Sequence, residues 1–221
     1  MATAGLPQLA RDEQRFVLHA VDWPTYRAIA DAVAERHLRL AYDGENLEFM
    51  TVSLLHDLLS RLLGRFLVVL TEELNLLLRS AGSTTLDRED VARGIEPDEC
   101  FYLDNEPRIR GRTEIDLTTD PPPDLGVEID VSRSSLNRLA IYSELRIPEV
   151  WRYDGERLRI YGRREAGGYD DAERSRYFPK LNPADVAAFL ARCNELDENS
   201  LVREFRNWVR DQIARGWPQG S

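Results

Sequence analysis

A long run of leucines at helical spacing sets the first limit on the fold. The segment SLLHDLLSRLLGRFLVVLTEELN, residues 53–75, repeats apolar residues every three or four positions, and Ser53 is suited to cap its start. Because apolar side chains extend over most of the circumference, the pattern predicts a helix that is buried on several sides. Arg65 interrupts the longest apolar stretch within nine residues, far short of the roughly 20 that span a bilayer. We therefore expect a central helix and no membrane segment.

The segments on either side of this helix alternate between extended runs and shorter helices. Before it, QRFVLHAV predicts a strand, DWPTYRAIADAVAE a helix capped by Asp22, and LRLAYDGENLEFM a hairpin that turns at Asp43-Gly44. After it, the predicted strands are LLLRSAGSTTLD, ECFYLDN, TEIDLTT, LGVEIDV, VWRYDG and RLRIYGR. SSLNRLAIYSELR predicts a crossover helix, and NPADVAAFLARCNEL and LVREFRNWVRDQIA predict two C-terminal helices. This order predicts an α+β fold with an α/β-type core, in which helices flank a mixed central sheet.

Length and cysteine content limit the domain organisation and the compartment. The 221 residues suit a single domain, residues 1–221, with a core at about 22–190 and a C-terminal helical extension at about 195–215. Cys100 and Cys193 lie far apart in no metal-binding spacing, and the first residues lack an apolar secretory segment. We expect a cytoplasmic protein in which both cysteines are free thiols.

The net charge of −10 is concentrated in one part of the chain. Residues 96–130 contain eleven acidic residues against three arginines, so this segment carries −8 of the total. The rest of the chain is nearly neutral, and the acidic balance therefore neither supports nor excludes a nucleic-acid partner. A concentrated acidic centre instead predicts a bound cation.

The strand LGVEIDV has its acids on one face. Because side chains alternate along a strand, Leu125, Val127, Ile129 and Val131 are expected on one face, and Asp124, Gly126, Glu128 and Asp130 on the other. Two interpretations remain open. The polar face of a half-solvated antiparallel strand meets water, whereas acids that repel one another on one face are stabilised by a divalent cation opposite them.

A metal site needs carboxylates that converge from more than one strand, because Mg²⁺ prefers oxygen ligands. Glu128 and Asp130 lie two residues apart on one face, about 7 Å along the strand. Asp98 begins the earlier run DECFYL, and antiparallel pairing of the two runs would bring it beside Glu128 and Asp130. Asp124 lies about 13 Å from Glu128 along the strand, so we expect Asp98 rather than Asp124 to complete the site.

Several motifs in order resemble a known family. LAYDGENLEFM, RSAGSTTLD, GIEPDECFYL, DLTTDPPPDLGVEIDVSRSSLNRLAIYSELRIPEVWRYDG and LRIYGR resemble the Uma family of predicted restriction endonucleases, within the PD-(D/E)XK nuclease superfamily. The resemblance extends from about Asp22 to Leu190, most of the chain. It implies a restriction-endonuclease-like core, DNA cleavage that depends on Mg²⁺ or Mn²⁺, and a homodimer.

The resemblance assigns site residues position by position. Asp98 matches the family's acid on the earlier core strand, and Glu128 matches the acid on the next strand, with Asp130 as a further candidate metal ligand. Asp130 stands where the superfamily has a lysine, which in this family is displaced to the position of Arg138. Asn137 also stands where relatives have an acid. Arginine stays protonated, so Arg138 is suited to hold a phosphate or to stabilise charge but is a poor general base.

The departure at Arg138 leaves two functions open. The first is a metal-dependent endonuclease in which Asp98, Glu128 and Arg138 are catalytic. The second is a nuclease-fold protein with weakened or no catalysis that serves in binding or assembly. Beyond these residues, we interpret His56 as a structural polar residue and Tyr142 as a packing residue, while phosphate contact and loop solvation are equally open for Arg108, Arg110 and Arg112.

Overall fold

A computed structural model describes residues 13–34, 36, 38–130, 134 and 136–218. Within these residues the chain forms eleven strands and six helices. The strands are β1 (Arg15–Leu18), β2 (Leu38–Tyr42), β3 (Leu47–Thr51), β4 (Arg79–Ser80), β5 (Leu86–Arg88), β6 (Arg93–Ile95), β7 (Glu99–Tyr102), β8 (Leu125–Ile129), β9 (Glu149–Tyr153), β10 (Leu158–Arg163) and β11 (Tyr169–Ala172). The helices are α1 (Trp23–Val33), α2 (Leu54–Glu73), α3 (Glu106–Ile109), α4 (Arg138–Glu144), α5 (Pro183–Leu190) and α6 (Glu198–Ala214).

The larger sheet is mixed and has six strands in the order β11-β10-β9-β8-β7-β4. Strands β8 and β9 pair in parallel, and the crossover between them contains α4. The other neighbours pair antiparallel. This mixed sheet with its flanking helices confirms the predicted α+β fold and the predicted crossover helix.

A second, antiparallel sheet is formed by the N-terminal strands in the order β1-β3-β2-β6-β5. The predicted hairpin is β2–β3, and Gly44 supplies the turn with a φ of 97° that favours glycine. The sequence pattern did not predict that these strands form a sheet of their own. We call this sheet the N-terminal sheet and the mixed one the central sheet.

Helix α2 is buried, as its sequence predicts. The Ser53 side chain accepts a hydrogen bond from the His56 N–H, which caps the first turn. The helix packs against the central sheet and against α6. Most of its leucines and Phe66 belong to the main hydrophobic core, which also includes Trp151 of β9 and Phe205 of α6. The same cap therefore fixes the position of His56 relative to the sheet.

One predicted strand does not form. TEIDLTT was expected to be a strand, but residues 113–119 form turns, because the Asp116 side chain accepts hydrogen bonds from the Thr118 N–H and hydroxyl and so competes with strand pairing. Strand β11 had no sequence prediction. Val131, expected to continue β8, lies outside the described residues, as do residues 1–12 and 219–221, so the single-domain interpretation stays a prediction.

No helix among the described residues is long and apolar enough to cross a membrane. Cys100 and Cys193 are both buried free thiols, as expected.

Candidate active site

Strand pairing brings Asp98 and Glu128 together. Strands β7 and β8 are antiparallel with Glu99 opposite Val127, so Asp98, directly before β7, lies beside Glu128. The Asp98 N–H donates to the Val127 carbonyl at 3.2 Å, and the Ile129 N–H donates to Asp98 Oδ2 at 2.7 Å. Both carboxyl groups are buried. The antiparallel pairing on which the predicted approach of Asp98 to Glu128 depends is therefore present.

Glu128 is bound by two side chains of the crossover helix. Arg138 Nη2 donates to Glu128 Oε1 at 2.8 Å, and the Tyr142 hydroxyl makes a short hydrogen bond to the same oxygen. Gly126, two residues earlier on β8, leaves room for the Tyr142 ring, since a Cβ at that position would lie 3.2 Å from Tyr142 Cε1. No donor in the described part of the chain bonds the second oxygen of Glu128, so one oxygen stays available to a ligand.

Asp98 has a histidine and an arginine beside it. His56, in the first turn of α2, places Nε2 3.2 Å from Asp98 Oδ2, although the two atoms are not aligned for a hydrogen bond. Arg39 of β2 places Nε 3.9 Å from Asp98 Oδ1. Asp98 therefore receives one contact from the central helix and one from the N-terminal sheet.

Glu48, on β3 of the N-terminal sheet, is a third buried carboxylate near Asp98 and Glu128. Its side chain is 1% exposed and accepts hydrogen bonds from Arg15 Nη1 at 2.9 Å and from the Ser134 hydroxyl at 2.9 Å. Arg138 Nη1 lies 3.9 Å from Glu48 Oε1. The guanidinium of Arg138 is thus held between acids of both sheets.

Burial and neighbouring charges shift the acids in opposite directions. Burial raises the pKa of Glu128 above its ordinary value, although Arg138 opposes this shift. Burial also acts to raise the pKa of Asp98, but His56 and the Ile129 N–H outweigh it and lower that pKa. Burial acts to lower the pKa of His56, and the Asp98 carboxylate raises it above its ordinary value. The site therefore favours an ionised Asp98 next to a charged His56.

Unpaired buried atoms are concentrated at this site. Five buried polar atoms of the site have no hydrogen-bond partner among the described residues: Arg39 Nε, His56 Nδ1, His56 Nε2, Asp98 Oδ1 and Arg138 Nε. Buried polar groups in folded proteins are almost always paired, and exceptions call for an explanation such as a ligand. The unpaired donors suit a ligand that carries oxygen atoms, and the unpaired carboxylate oxygen suits a cation or a hydrogen-bond donor.

The other sequence-predicted residues lie elsewhere. Asp130 forms an ion pair with Arg152 of β9, and no contact joins it to Asp98 or Glu128 within the described ranges. Asp124 accepts hydrogen bonds from the Leu103 and Asn105 N–H groups, so it holds the loop after β7, in agreement with its expected distance from the site. Arg110 and Arg112 pair with loop acids.

The donor set suits a hard cation with few protein ligands. No group of three or more His, Cys, Asp or Glu residues in the described part of the chain is arranged to hold a metal ion. Mg²⁺, however, is commonly bound through one or two carboxylates, with waters and substrate phosphates as its other ligands. Asp98 Oδ1 is buried without a partner, which fits such an ion.

Sequence reasoning missed four contributors to the site. His56 and Tyr142 were assigned structural roles, yet one contacts Asp98 and the other bonds Glu128. Glu48 and Arg39 received no role, because they belong to the N-terminal sheet and nothing local to their strands indicates where that sheet packs. The available signals were the acid in the apolar run LEFM and the four-residue spacing of Arg138 and Tyr142 on one helix face.

A mixed sheet flanked by helices, with two buried acids on adjacent strands and an arginine on the crossover helix, is the arrangement expected of a restriction-endonuclease-like protein. The family comparison agrees with this class. Residues 23–192 match the Uma2 family, described as "Putative restriction endonuclease", and the chain belongs to that family. The expected fold class is confirmed, and the protein is nuclease-like.

One solved structure that the chain resembles is a "putative nuclease belonging to DUF820" from Anabaena variabilis ATCC 29413. The two share 15% sequence identity with a TM-score of 0.42, over 63% of this chain and 84% of the other. None of the curated proteins compared with this chain matches it.

Proposed function

We propose that this protein is a Mg²⁺-dependent endonuclease that hydrolyses phosphodiester bonds in DNA. The observation that carries the proposal is the concentration of unpaired buried donors and acceptors around Asp98, next to Glu128. A phosphodiester with an associated cation supplies partners for both kinds of group, because its oxygens accept hydrogen bonds and the cation binds carboxylates. Membership of a restriction-endonuclease family supports the same reaction class.

Asp98 and Glu128 would hold the cation, Mg²⁺ or Mn²⁺, each through its oxygen that has no bonded donor. The bound ion would polarise the phosphoryl oxygen and lower the pKa of a water molecule. Neighbouring groups orient the acids: the backbone N–H of Ile129 and the His56 side chain fix Asp98, and the Tyr142 hydroxyl fixes Glu128.

Arg138 supplies positive charge rather than a base. Burial acts to lower its pKa, but Glu128 and Tyr142 raise that pKa, so the guanidinium keeps its proton. One nitrogen, Nη2, is bonded to Glu128 and to the Glu96 carbonyl, whereas Nε is unpaired. The unpaired donor is suited to a phosphate oxygen, where it stabilises the charge that develops during hydrolysis.

The direct test is cleavage of supercoiled plasmid and of single-stranded DNA with Mg²⁺ or Mn²⁺. We expect wild-type protein to nick or cut DNA, and Asp98→Asn and Glu128→Gln to reduce the rate by at least about 100-fold, because each removes a charged ligand. Asp171→Asn, which changes an exposed acid of β11, is the matched control and should cleave normally. Cleavage that is equal in wild-type and Asp98→Asn protein would contradict the proposal.

A second candidate is a nuclease-fold protein that binds DNA without cutting it. The observation that favours it is the arginine bonded to Glu128, since a lysine at this position has a pKa that burial can depress and an arginine does not. The discriminating variant is Arg138→Lys. We expect a several-fold gain in cleavage over a weakly active wild type. Activity in neither form, together with retained DNA binding, would favour the second candidate.

We further propose a cytoplasmic homodimer. A duplex has two strands to cut, and a dimer supplies two sites. The edge strand β1 exposes Phe16 (61%) and Leu18 (45%), an apolar surface that a second copy would cover. The two free thiols are in keeping with a reducing compartment. Sedimentation equilibrium of wild type and Phe16→Asp tests the dimer, and a monomer at all concentrations would contradict it.

A further inference from the structure

Arg39 has no role in the proposed mechanism, yet it lies beside Asp98. It extends from β2 of the N-terminal sheet, its side chain is 22% exposed, and its Nε is 3.9 Å from Asp98 Oδ1. Both atoms are buried and have no hydrogen-bond partner among the described residues. An unpaired donor and an unpaired acceptor therefore lie near each other without a hydrogen bond between them.

The 3.9 Å distance between Arg39 Nε and Asp98 Oδ1 is longer than in a hydrogen-bonded ion pair. Charge-assisted hydrogen bonds between arginine and carboxylate have N···O distances of about 2.7–2.9 Å. Arg39 also acts electrostatically on Glu96 and Glu99, yet its guanidinium makes no hydrogen bond to any residue that the structure describes. A side chain that served only as a counter-charge would gain free energy by closing onto one of these acids. At 3.9 Å the two atoms are close to contact, so no further atom fits between them. The other two guanidinium nitrogens of Arg39 make no hydrogen bond to the described residues and stay available to a ligand beside Asp98.

We infer that Arg39 binds a nonbridging oxygen of the phosphodiester that occupies the site, and so determines its preference for a nucleic-acid backbone. The inference rests on the proposed function. The planar guanidinium matches the geometry of a phosphate, and the partial exposure of Arg39 leaves it accessible to a ligand. Arg138, whose Nε is also unpaired, acts on the same Asp98 from α4. Two arginines from different layers of the protein thus serve one substrate group.

The competing interpretation is that Arg39 only neutralises Asp98, Glu96 and Glu99. In that case, loss of the charge lowers the stability of the fold and leaves DNA affinity unchanged. The two interpretations therefore differ in a binding measurement that requires no catalysis.

The experiment is fluorescence anisotropy of a short labelled DNA duplex, with Ca²⁺ in place of Mg²⁺ and cleavage products monitored in the same samples. We expect Arg39→Gln to raise Kd about tenfold and to lower the slope of log Kd against log salt concentration by about one, because one phosphate contact is lost. Arg203→Gln on α6, which removes the same charge from an exposed position, should change neither quantity. Thermal unfolding of each variant shows whether the fold is intact.

Arg39→Lys provides a second variant if Arg39→Gln unfolds. It keeps the charge without the planar fork, so the salt slope should stay close to wild type while Kd rises. Arg39 variants that are folded and bind DNA as wild type does, with the same salt slope, overturn the inference and leave the proposed function standing. Wild-type protein that neither binds nor cleaves DNA overturns both.

Discussion

Arg146 has the left-handed backbone conformation that favours glycine, with a φ of 63°. It follows α4, where the Arg146 N–H donates to the Ser143 carbonyl and the Ile147 N–H donates to the Tyr142 carbonyl. These two bonds form the Schellman motif that ends many helices, usually with glycine at this position. We expect Arg146→Gly to raise the free energy of unfolding by about 0.5–1 kcal/mol in urea denaturation, because the strain is relieved.

Arg146→Ala is the matched control, because it removes the same charge but keeps a Cβ. It should show no gain over wild type. Equal stabilisation by alanine and glycine would mean that the charge, not the backbone conformation, was the cost at this position.

At the residue scale, the sequence predicted the contacts that follow from the alternation of side chains along a strand. It missed the contacts that depend on how strands and sheets pack together. Asp98 and Glu128 were placed together by side-chain alternation and by an assumed antiparallel pairing of the two runs, which the structure contains. The partner of Asp130 is Arg152, 22 positions later, on a strand whose parallel register no local pattern determines. The contributions of Glu48 and Arg39 depend on how a second sheet packs, which strand periodicity does not encode.

Helix α6 is held to α2 by ion pairs as well as by the core. Arg206 and Arg210 both bond Glu73 of α2, at 2.7 and 2.8 Å. The Arg210 hydrogen bond is the largest influence that lowers the pKa of Glu73 below its ordinary value. Because the folded-state pKa is lowered, the stabilisation is present above the ordinary value and is lost as the pH falls through the folded-state pKa.

We therefore expect Glu73→Gln to lower the free energy of unfolding at pH 7. The loss should be only about 1 kcal/mol, because solvent screens these partly exposed ion pairs. The difference from wild type should shrink as the pH falls below the ordinary value of 4.5 and vanish below the lower folded-state pKa, where Glu73 of the folded protein is also protonated. Urea denaturation across this pH range is the measurement. Glu72→Gln, which changes the more exposed neighbour that bonds Arg206, should have a smaller effect. A difference that is constant with pH would argue against the ion pairs.

At the element scale, capping residues predicted the starts of helices correctly. Strands with a weak sequence pattern were predicted poorly. Asp22, Ser53 and Asn182 cap α1, α2 and α5 through their side chains, as residues of these types predict. The segment TEIDLTT alternates like a strand, but a local side-chain turn at Asp116 prevails. Edge strand β11 has little apolar alternation, so pairing with β10 rather than its own sequence determines it.

At the scale of the whole molecule, the site lies where the two sheets meet at α4. Arg138 at the start of α4 bonds Glu128 of the central sheet and lies 3.9 Å from Glu48 of the N-terminal sheet. Glu48 in turn accepts hydrogen bonds from Arg15 and Ser134. The charged groups of the candidate site therefore also help to link the sheets, beside a hydrophobic cluster that contains residues of both sheets. Damage to these charged groups should affect both the site and the stability of the fold.

Glu48→Ala tests this coupling. It leaves the largely buried Arg15 and Arg138 without a shared acid, so we expect a loss of about 3–5 kcal/mol in unfolding free energy. Glu45→Ala, an exposed acid in the same hairpin, should stay within about 0.5 kcal/mol of wild type. In a double-mutant cycle with Arg15→Ala, the two losses should be non-additive by at least about 0.5 kcal/mol, because the side chains are in contact. Additive losses would show that Glu48 stabilises the fold independently of Arg15, and the charged link between the sheets would then rest on Arg138 and Ser134.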